Sequence, residues 1–368
     1  MNRKVTFVIG SLNGGGAQRV CVNIANNLIE NNWSVTIIVL NLYNSVYHDQ
    51  LNSKINLINL EVKHTRFALI NLIKYFKNLD HNLIVTFDYE LSIASILLKK
   101  IFRLNIKILV RNINTFSQVL NSSTSFWVNI YVKFFLKTLY GKADYFINQC
   151  QEMQVDLLIH FPGISNKTCV INNPVSQEII DFNSTVSPNI HYKRDYILFV
   201  GRLEKQKAPH RAILIFSKIA EFHPDLRFKI VGEGSLKSDL KKYAQSLEVS
   251  EKIDFIGFQK DVIKYYLSAK VTILTSVYEG FPNVLIESIA LGTPVVSFNC
   301  PSGIEDIIID GKNGFIAKNN DINDFVSKLL LTINFEFDKQ AVLISANKFY
   351  PKNIISNYID VIQKLNEK

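Results

Sequence analysis

The feature that most constrains this chain is a rhythm. Wholly apolar runs of strand length alternate with helix-length segments from end to end. "KVTFVIG" reads as a buried strand, passes through a Gly-rich loop, and opens a helix over "AQRVCVNIANNLIEN"; "SVTIIVL", "NLIVTFD" and "IKILVRN" follow as strands. After about residue 190 the pattern restarts with "YILFVGRL", "RFKIVGEG", "KIDFIGF", "VTILTS" and "TPVVSFN", with helices between. Strands apolar on both faces and punctuated by helices specify parallel sheets covered on both sides. Two such series predict an α/β chain of two doubly wound, Rossmann-like domains. A length of 368 residues gives each its own core. The joint is expected in "CVINNPVSQEIIDFNSTVSPNIHYKRD", dividing 1–185 from 186–350. Helices are predicted around Ile322–Ile333 and Lys352–Lys364, with 351–368 as a terminal helix able to pack back on the first domain. Ligands of open α/β sheets lie beyond the carboxyl ends of the strands, so the two domains are expected to face each other across a cleft.

Charge narrows the partners. Of the net +9, nearly all sits in the first half: residues 1–170 carry 17 Lys and Arg against 9 Asp and Glu, the rest 24 against 23. A basic half suits nucleic acid, an anionic membrane surface or a phosphorylated ligand. No zinc spacing, RNA-binding signature or basic heptad accompanies it, so no nucleic-acid partner is expected. Cys21, Cys150, Cys169 and Cys300 are scattered and read as free thiols of a reducing cytosol. The apolar run after "MNRK" is too short for a signal peptide, and no run is long enough to span a bilayer. A cytoplasmic protein is expected, lying on a membrane if it meets one.

The segment "SVYEGFPNVLIES" places two glutamates, Glu279 and Glu287, around a Gly-Phe-Pro-Asn turn. A helix is expected to open near Pro282–Asn283, with Asn283 as its cap. The N–H groups of Val284 and Leu285 then lack internal partners and make an anion site. Glu287 stands in an apolar helix, where a carboxylate needs sugar hydroxyls or a buried cation to satisfy it. A surface glutamate and a structural ion pair are the plain alternatives. Upstream, "FVGRLEKQKAP" leaves a strand with Gly201 at the turn, then Arg202 and Lys207. Two fixed cations there would neutralise a diphosphate; solvated loop cations are the other reading. Gly232 and Gly234 in "IVGEGS" allow close approach of a flat ring, whose edge the backbone at Phe258–Gln259 could read, or else they serve turn geometry alone.

Together "GRLEKQK", "VGEG", "FIGF" and "YEGFPNVLIESIALGTPVV" resemble the donor-nucleotide half of retaining glycosyltransferases of family 4, which have the GT-B fold. Glu279 and Glu287 match the glutamate–seven–glutamate motif of that family, and "GIEDII" with "DGKNGFI" follows in order. The first half is thinner evidence, resting on "GSLNGGGAQRV", "RNIN" and "VINNPV". The resemblance implies that 1–185 binds the acceptor and 186–350 the nucleotide sugar. It implies that Arg202 and Lys207 hold the donor diphosphate and Glu287 the ribose hydroxyls. Glu279 and the turn Phe281, Pro282, Asn283 would hold the transferred sugar, and the Val284–Leu285 backbone would complete the phosphate site.

The loop Gly14, Gly15, Gly16 is not a dinucleotide fingerprint, since Arg19 takes its third place. Its backbone suits phosphate or sugar, and family members usually have Glu-Arg where this chain has Gln18-Arg19. Many members carry a histidine at the strand end where this chain has Arg111 and Asn112. These two and Arg19 are acceptor-side candidates, with a structural cation as the alternative for Arg111. None of the seven histidines makes a metal spacing, and no Asp-x-Asp pair appears, so a metal-free, cofactor-free transfer is expected. Leu97–Lys107 and Phe126–Lys142 mix lysines with aromatics, which suits either an anionic membrane surface or core helices whose lysines snorkel. The implied activity moves a hexose or N-acetylhexosamine from a UDP-sugar to a lipid-linked oligosaccharide at the inner face of the plasma membrane, in bacterial glycan assembly. A nucleotide-sugar 2-epimerase of the same architecture and a non-catalytic scaffold are the rivals.

Overall fold

The computed structural model describes residues 3–121, 126–185 and 194–366, with the backbone alone at 121 and 126–132. The first sheet has seven strands: β1 (Lys4–Ile9), β2 (Ser34–Val39), β3 (Asn56–Asn59), β4 (Leu83–Thr86), β5 (Lys107–Arg111), β6 (Tyr145–Asn148) and β7 (Thr168–Val170). Their order is β3-β2-β1-β4-β5-β6-β7, every pairing parallel. The second sheet has six: β8 (Tyr196–Val200), β9 (Arg227–Val231), β10 (Ile253–Gly257), β11 (Ala269–Leu274), β12 (Val295–Phe298) and β13 (Gly314–Ala317). They run in the order β10-β9-β8-β11-β12-β13, again all parallel. Both sheets are doubly wound. The central strands are buried along almost their whole length, as apolar-on-both-faces sequence requires.

Each sheet reverses its winding once, between β1 and β4 in the first and between β8 and β11 in the second. The loops beyond the carboxyl ends of those strands are where open α/β sheets bind ligands. The strands not foreseen, β3, β6, β7 and β13, lie toward the edges. They are three or four residues long, and β3 has no buried residue. A strand of three or four residues is too short to show the apolar run that marks a central one, and β3 and β7, at the two edges of the first sheet, are also largely unburied.

The chain divides into two compact units, Met1–Pro174 with Pro351–Lys368, and Val175–Tyr350. The division falls ahead of the break expected at 185/186, which adjoins residues 186–193, outside the described residues. The helix Gln177–Thr185 belongs to the second unit because Asn183 Nδ2 donates to the Ala290 carbonyl at 2.8 Å, while Val175 N–H donates to the Phe349 carbonyl at 2.8 Å. The last helix, Pro351–Asn366, packs in the first unit. Ile354, Ile355, Tyr358, Ile362 and Leu365 form its buried stripe, at the spacing of one helical face. They join the core of β1 and β2, each large side chain stabilising by about 1.5–3 kcal/mol. Lys107 Nζ donates to the Leu365 carbonyl, closing the end of that helix.

Candidate active site

At the switch point of the second sheet two loops are stitched together. The loop after β8 runs through Arg202 to a 3-10 turn at Lys205–Lys207, and the loop after β11 runs from Thr275 to Glu279. Val277 N–H donates to the Gln206 carbonyl, Gln206 Nε2 to the Tyr278 carbonyl, and Thr275 Oγ1 to the carbonyls of Lys207 and Ala208. Ala208 sits at φ 44°, a left-handed conformation costly for a residue with a Cβ, and turns the chain into the helix Pro209–Phe222.

This stitching sets Lys207 Nζ 2.6 Å from Glu279 Oε1, and Ser276 Oγ donates to the same oxygen at 2.5 Å. Glu279 is 6% exposed, and its N–H donates to the Pro301 carbonyl. Sequence reasoning gave Lys207 to phosphate and Glu279 to sugar separately; the structure pairs them with each other. Both bonds land on Oε1, so Oε2 remains for a further donor, and the ammonium has three hydrogens, only one needed by Glu279. The Cys300 thiol beside them is pushed up to about 12, first by burial and then by the Glu279 carboxylate. Arg202 is exposed at the strand end, with Nη2 donating to Gln206 Oε1 at 3.2 Å. Ser276 and Gln206 were not picked out from the sequence, because their importance lies in loop-to-loop bonds rather than in a motif.

The helix Asn283–Ala290 opens where expected, but its cap is Pro282, at ψ 93°, and Asn283 is its first helical residue. Leu285 N–H donates to the Pro282 carbonyl at 3.0 Å, so its amide is already engaged and does not serve the expected anion site. Glu287 is 2% exposed and accepts from the Tyr266 hydroxyl through Oε2 at 3.1 Å. Phe281 turns inward and meets the Phe349 ring edge-on at 5.7 Å, so its ring serves the core rather than a sugar. Gly232 and Gly234 are also reassigned. A Cβ on Gly232, at φ +144°, would lie 1.9 Å from the Gly201 carbonyl oxygen, and one on Gly234 would lie 2.4 Å from that of Leu203. These glycines let the β9 loop close against the β8 loop, not against a ring. Phe258 is 54% exposed and Gln259 half-buried at the end of β10.

At the switch point of the first sheet, Gly15 is the extended N-cap of the helix Gly16–Glu30, with no side-chain cap and no acid in its first turn. Arg19 lies half-buried in that turn, its N–H donating to the Gly15 carbonyl. Asp88, beyond β4, accepts the Gly10 N–H through Oδ2 at 2.7 Å. Burial pushes its carboxyl up to about 6, with the Gly10 bond opposing the shift.

Arg111 and Asn112 are built into the interior. Arg111 is 1% exposed; Nε donates to the Tyr358 hydroxyl at 2.7 Å, Nη2 to Asn173 Oδ1, and the guanidinium lies 5.5 Å from the Phe87 ring centroid. Asn112 Nδ2 donates to Asn148 Oδ1, and its Oδ1 accepts from the Tyr140 hydroxyl. Both ends of that amide are engaged, so the structural reading replaces the acceptor-side one for Asn112. Arg111 clamps β5 to the last helix and keeps Nη1 without a hydrogen-bond partner among the described residues.

The two basic, aromatic segments are mixed. In Leu97–Lys107, Lys99 pairs with Asp144 at 2.6 Å and Lys107 caps the last helix, while Ile101 and Phe102 are exposed. In Phe126–Lys142 the side chains of 126–132 lie outside the described residues, Phe134 is exposed, and Leu136 and Tyr140 are buried. No helix of the described residues is long and apolar enough to cross a membrane.

The fold, together with sugar-transferase motifs at its second switch point, defines a class that comparison makes explicit. The profile described as "Glycosyl transferases group 1" matches residues 183–350, and "Glycosyltransferase Family 4" matches 14–178. An uncharacterized glycosyltransferase of Haemophilus influenzae is 28% identical over 90% of this chain and 91% of its own length. A Campylobacter jejuni alpha-1,4-N-acetyl-D-galactosaminyltransferase, named for a diphospho-undecaprenol-linked acceptor, is 26% identical over 92% of this chain and 91% of its own. The solved structure of Anabaena HepE in complex with UDP-glucose aligns with a TM-score of 0.75 at 16% identity, covering 98% of this chain and 99% of that one. The chain belongs to the family 4 glycosyltransferases, enzymes of GT-B fold.

Proposed function

We propose that the enzyme transfers a hexose or N-acetylhexosamine, with retention of configuration, from a UDP-sugar to a lipid-linked oligosaccharide in bacterial surface-glycan assembly. The observation that carries this reading is the Lys207–Glu279–Ser276 cluster at the second switch point. A donor sugar hydroxyl donates to Glu279 Oε2, while the spare hydrogens of Lys207 and the exposed Arg202 meet the diphosphate. As the glycosidic bond breaks, negative charge gathers on the departing nucleoside diphosphate, and these two cations with the Val284 amide neutralise it without a metal ion. Glu287 accepts the ribose hydroxyls, and the backbone near Phe258–Gln259 reads the base edge. The donor class is supported by the HepE complex with UDP-glucose, and the acceptor class by the Campylobacter relative's name. A lipid-linked acceptor places the work at an anionic membrane surface on the cytoplasmic side, with Ile101, Phe102 and Phe134 exposed on the first unit.

Thermal shift against a panel of nucleotide sugars tests the donor, since a ligand that binds only the folded chain raises its midpoint. Transfer to a lipid-linked acceptor extract, with the anomeric configuration of the product read by NMR, tests the reaction. The expected result is an α-linked product from one UDP-sugar, formed equally well in EDTA. Donor consumed without any acceptor, giving an epimer, overturns the transferase chemistry, and a strict divalent requirement overturns the metal-free site.

A further inference from the structure

We infer that a cavity at the amino-terminal edge of the first sheet seats the phosphate headgroup of an anionic membrane lipid. The inference rests on the reading that the enzyme works at a membrane surface, and it names where the contact is made. The cavity has a volume of about 740 Å³, in the range of ligand-sized pockets. It lies at the opposite end of the strands from Gly15 and Asp88, one strand length away. For the six residues of β1 that is roughly 20 Å. It is therefore separate from the loops of the switch point.

Its chemistry is that of an amphiphile's receptor. Trp33 and Phe76, both buried, form an apolar floor, and Arg3, Lys77 and Arg103 stand around it as exposed cations. The acid among the described lining residues, Asp80, pairs with Lys4 outside the lining, so its charge is already answered. Three cations then face the cavity with no acid left to offset them. The rim distinguishes a lipid from a free phosphate. Lys77 closes the helix Thr65–Lys77, which contains no acid and exposes Phe67 and Ile70; Arg103 follows the helix Tyr89–Ile101, and Ile101 and Phe102 beside it are exposed. Lys77 Nζ lies 4.9 Å from the Phe102 ring centroid, so cation and apolar rim are one surface. A headgroup phosphate in the cavity leaves its acyl chains along that rim, an arrangement that a soluble phosphate has no use for.

Flotation of the full chain with vesicles tests this. We expect binding to phosphatidylcholine vesicles containing phosphatidylglycerol and none to phosphatidylcholine alone. The double variant Lys77→Ala/Arg103→Ala, changed at two exposed positions, should bind at least tenfold more weakly, each cation near an anionic surface contributing roughly a factor of five. The control Lys241→Ala/Lys242→Ala, on the exposed face of the helix Lys237–Ser246, should float as the parent does. Transfer to a detergent-dispersed acceptor, read separately, should be unchanged in both variants, so loss of the proposed reaction and loss of the lipid site give different results. Equal weakening of both variants means diffuse basicity and overturns the site, as does undiminished flotation of the Lys77/Arg103 variant. Thermal stabilisation by inorganic phosphate with no vesicle binding assigns the cavity to a free anion and overturns the lipid.

Discussion

The Lys207–Glu279 pair sets up a quantitative test. The lysine side chain is 15% exposed and the glutamate 7%, so the pair is largely shielded from water and salt. Removing one partner of a fully buried pair costs about 3–5 kcal/mol, because the other charge is left unsatisfied. The residual exposure of Lys207, and the Ser276 hydroxyl still bonded to Glu279, reduce the expected cost of Lys207→Met to about 2–3 kcal/mol. For a unit of this size that is a fall in Tm of roughly 5–10 °C. Glu279→Gln keeps the shape and the Ser276 contact and should cost less. The decisive measurement is the double-mutant cycle from urea unfolding. The double variant should recover about 2 kcal/mol relative to the sum of the singles, with little change on raising salt. Additivity within about 0.5 kcal/mol would show that the two side chains do not share a charge interaction, and the electrostatic account of the site would fail. The same Lys207→Met protein should show a smaller donor-induced Tm shift than the parent.

Three further outcomes are expected. Arg202→Ala, at an exposed position, should leave Tm within a degree or two and lower kcat/KM at least tenfold; near-normal turnover rejects its part in holding the diphosphate. Gly232→Ala should unfold the second unit at markedly lower temperature, because a Cβ 1.9 Å from the Gly201 carbonyl oxygen forces two backbones apart, and an unchanged Tm refutes the packing role. Asp88→Asn should change how stability depends on pH. Burial raises the Asp88 carboxyl from the ordinary 3.8 to about 6, so its contribution is fully present at low pH and is lost as pH climbs through 6. The variant should therefore gain roughly 2 kcal/mol relative to the parent between pH 4 and pH 7, and a constant difference across that range contradicts the buried charge.

The sequence by itself determined the architecture. The buried strands of both sheets are apolar on both faces, and that pattern admits little besides parallel strands covered by helices. It also singled out Arg202 and Lys207 after β8, and Glu279 and Glu287 after β11, as candidates that occur in a fixed order along the chain. What the sequence left open was every question that depends on what touches what. That Gly232 and Gly234 make room for the Gly201 and Leu203 carbonyls, that Phe281 packs on Phe349, and that Asn112 is spent between Asn148 and Tyr140 are facts of contact between residues far apart in the chain. Only the tertiary structure could join Lys207 to Glu279, across 72 positions, or bring Arg111 to Tyr358 across 247. Local patterning fixes which residues are buried and how the backbone runs, whereas the partner of a charge is chosen by the packing of whole elements, and no periodicity encodes it.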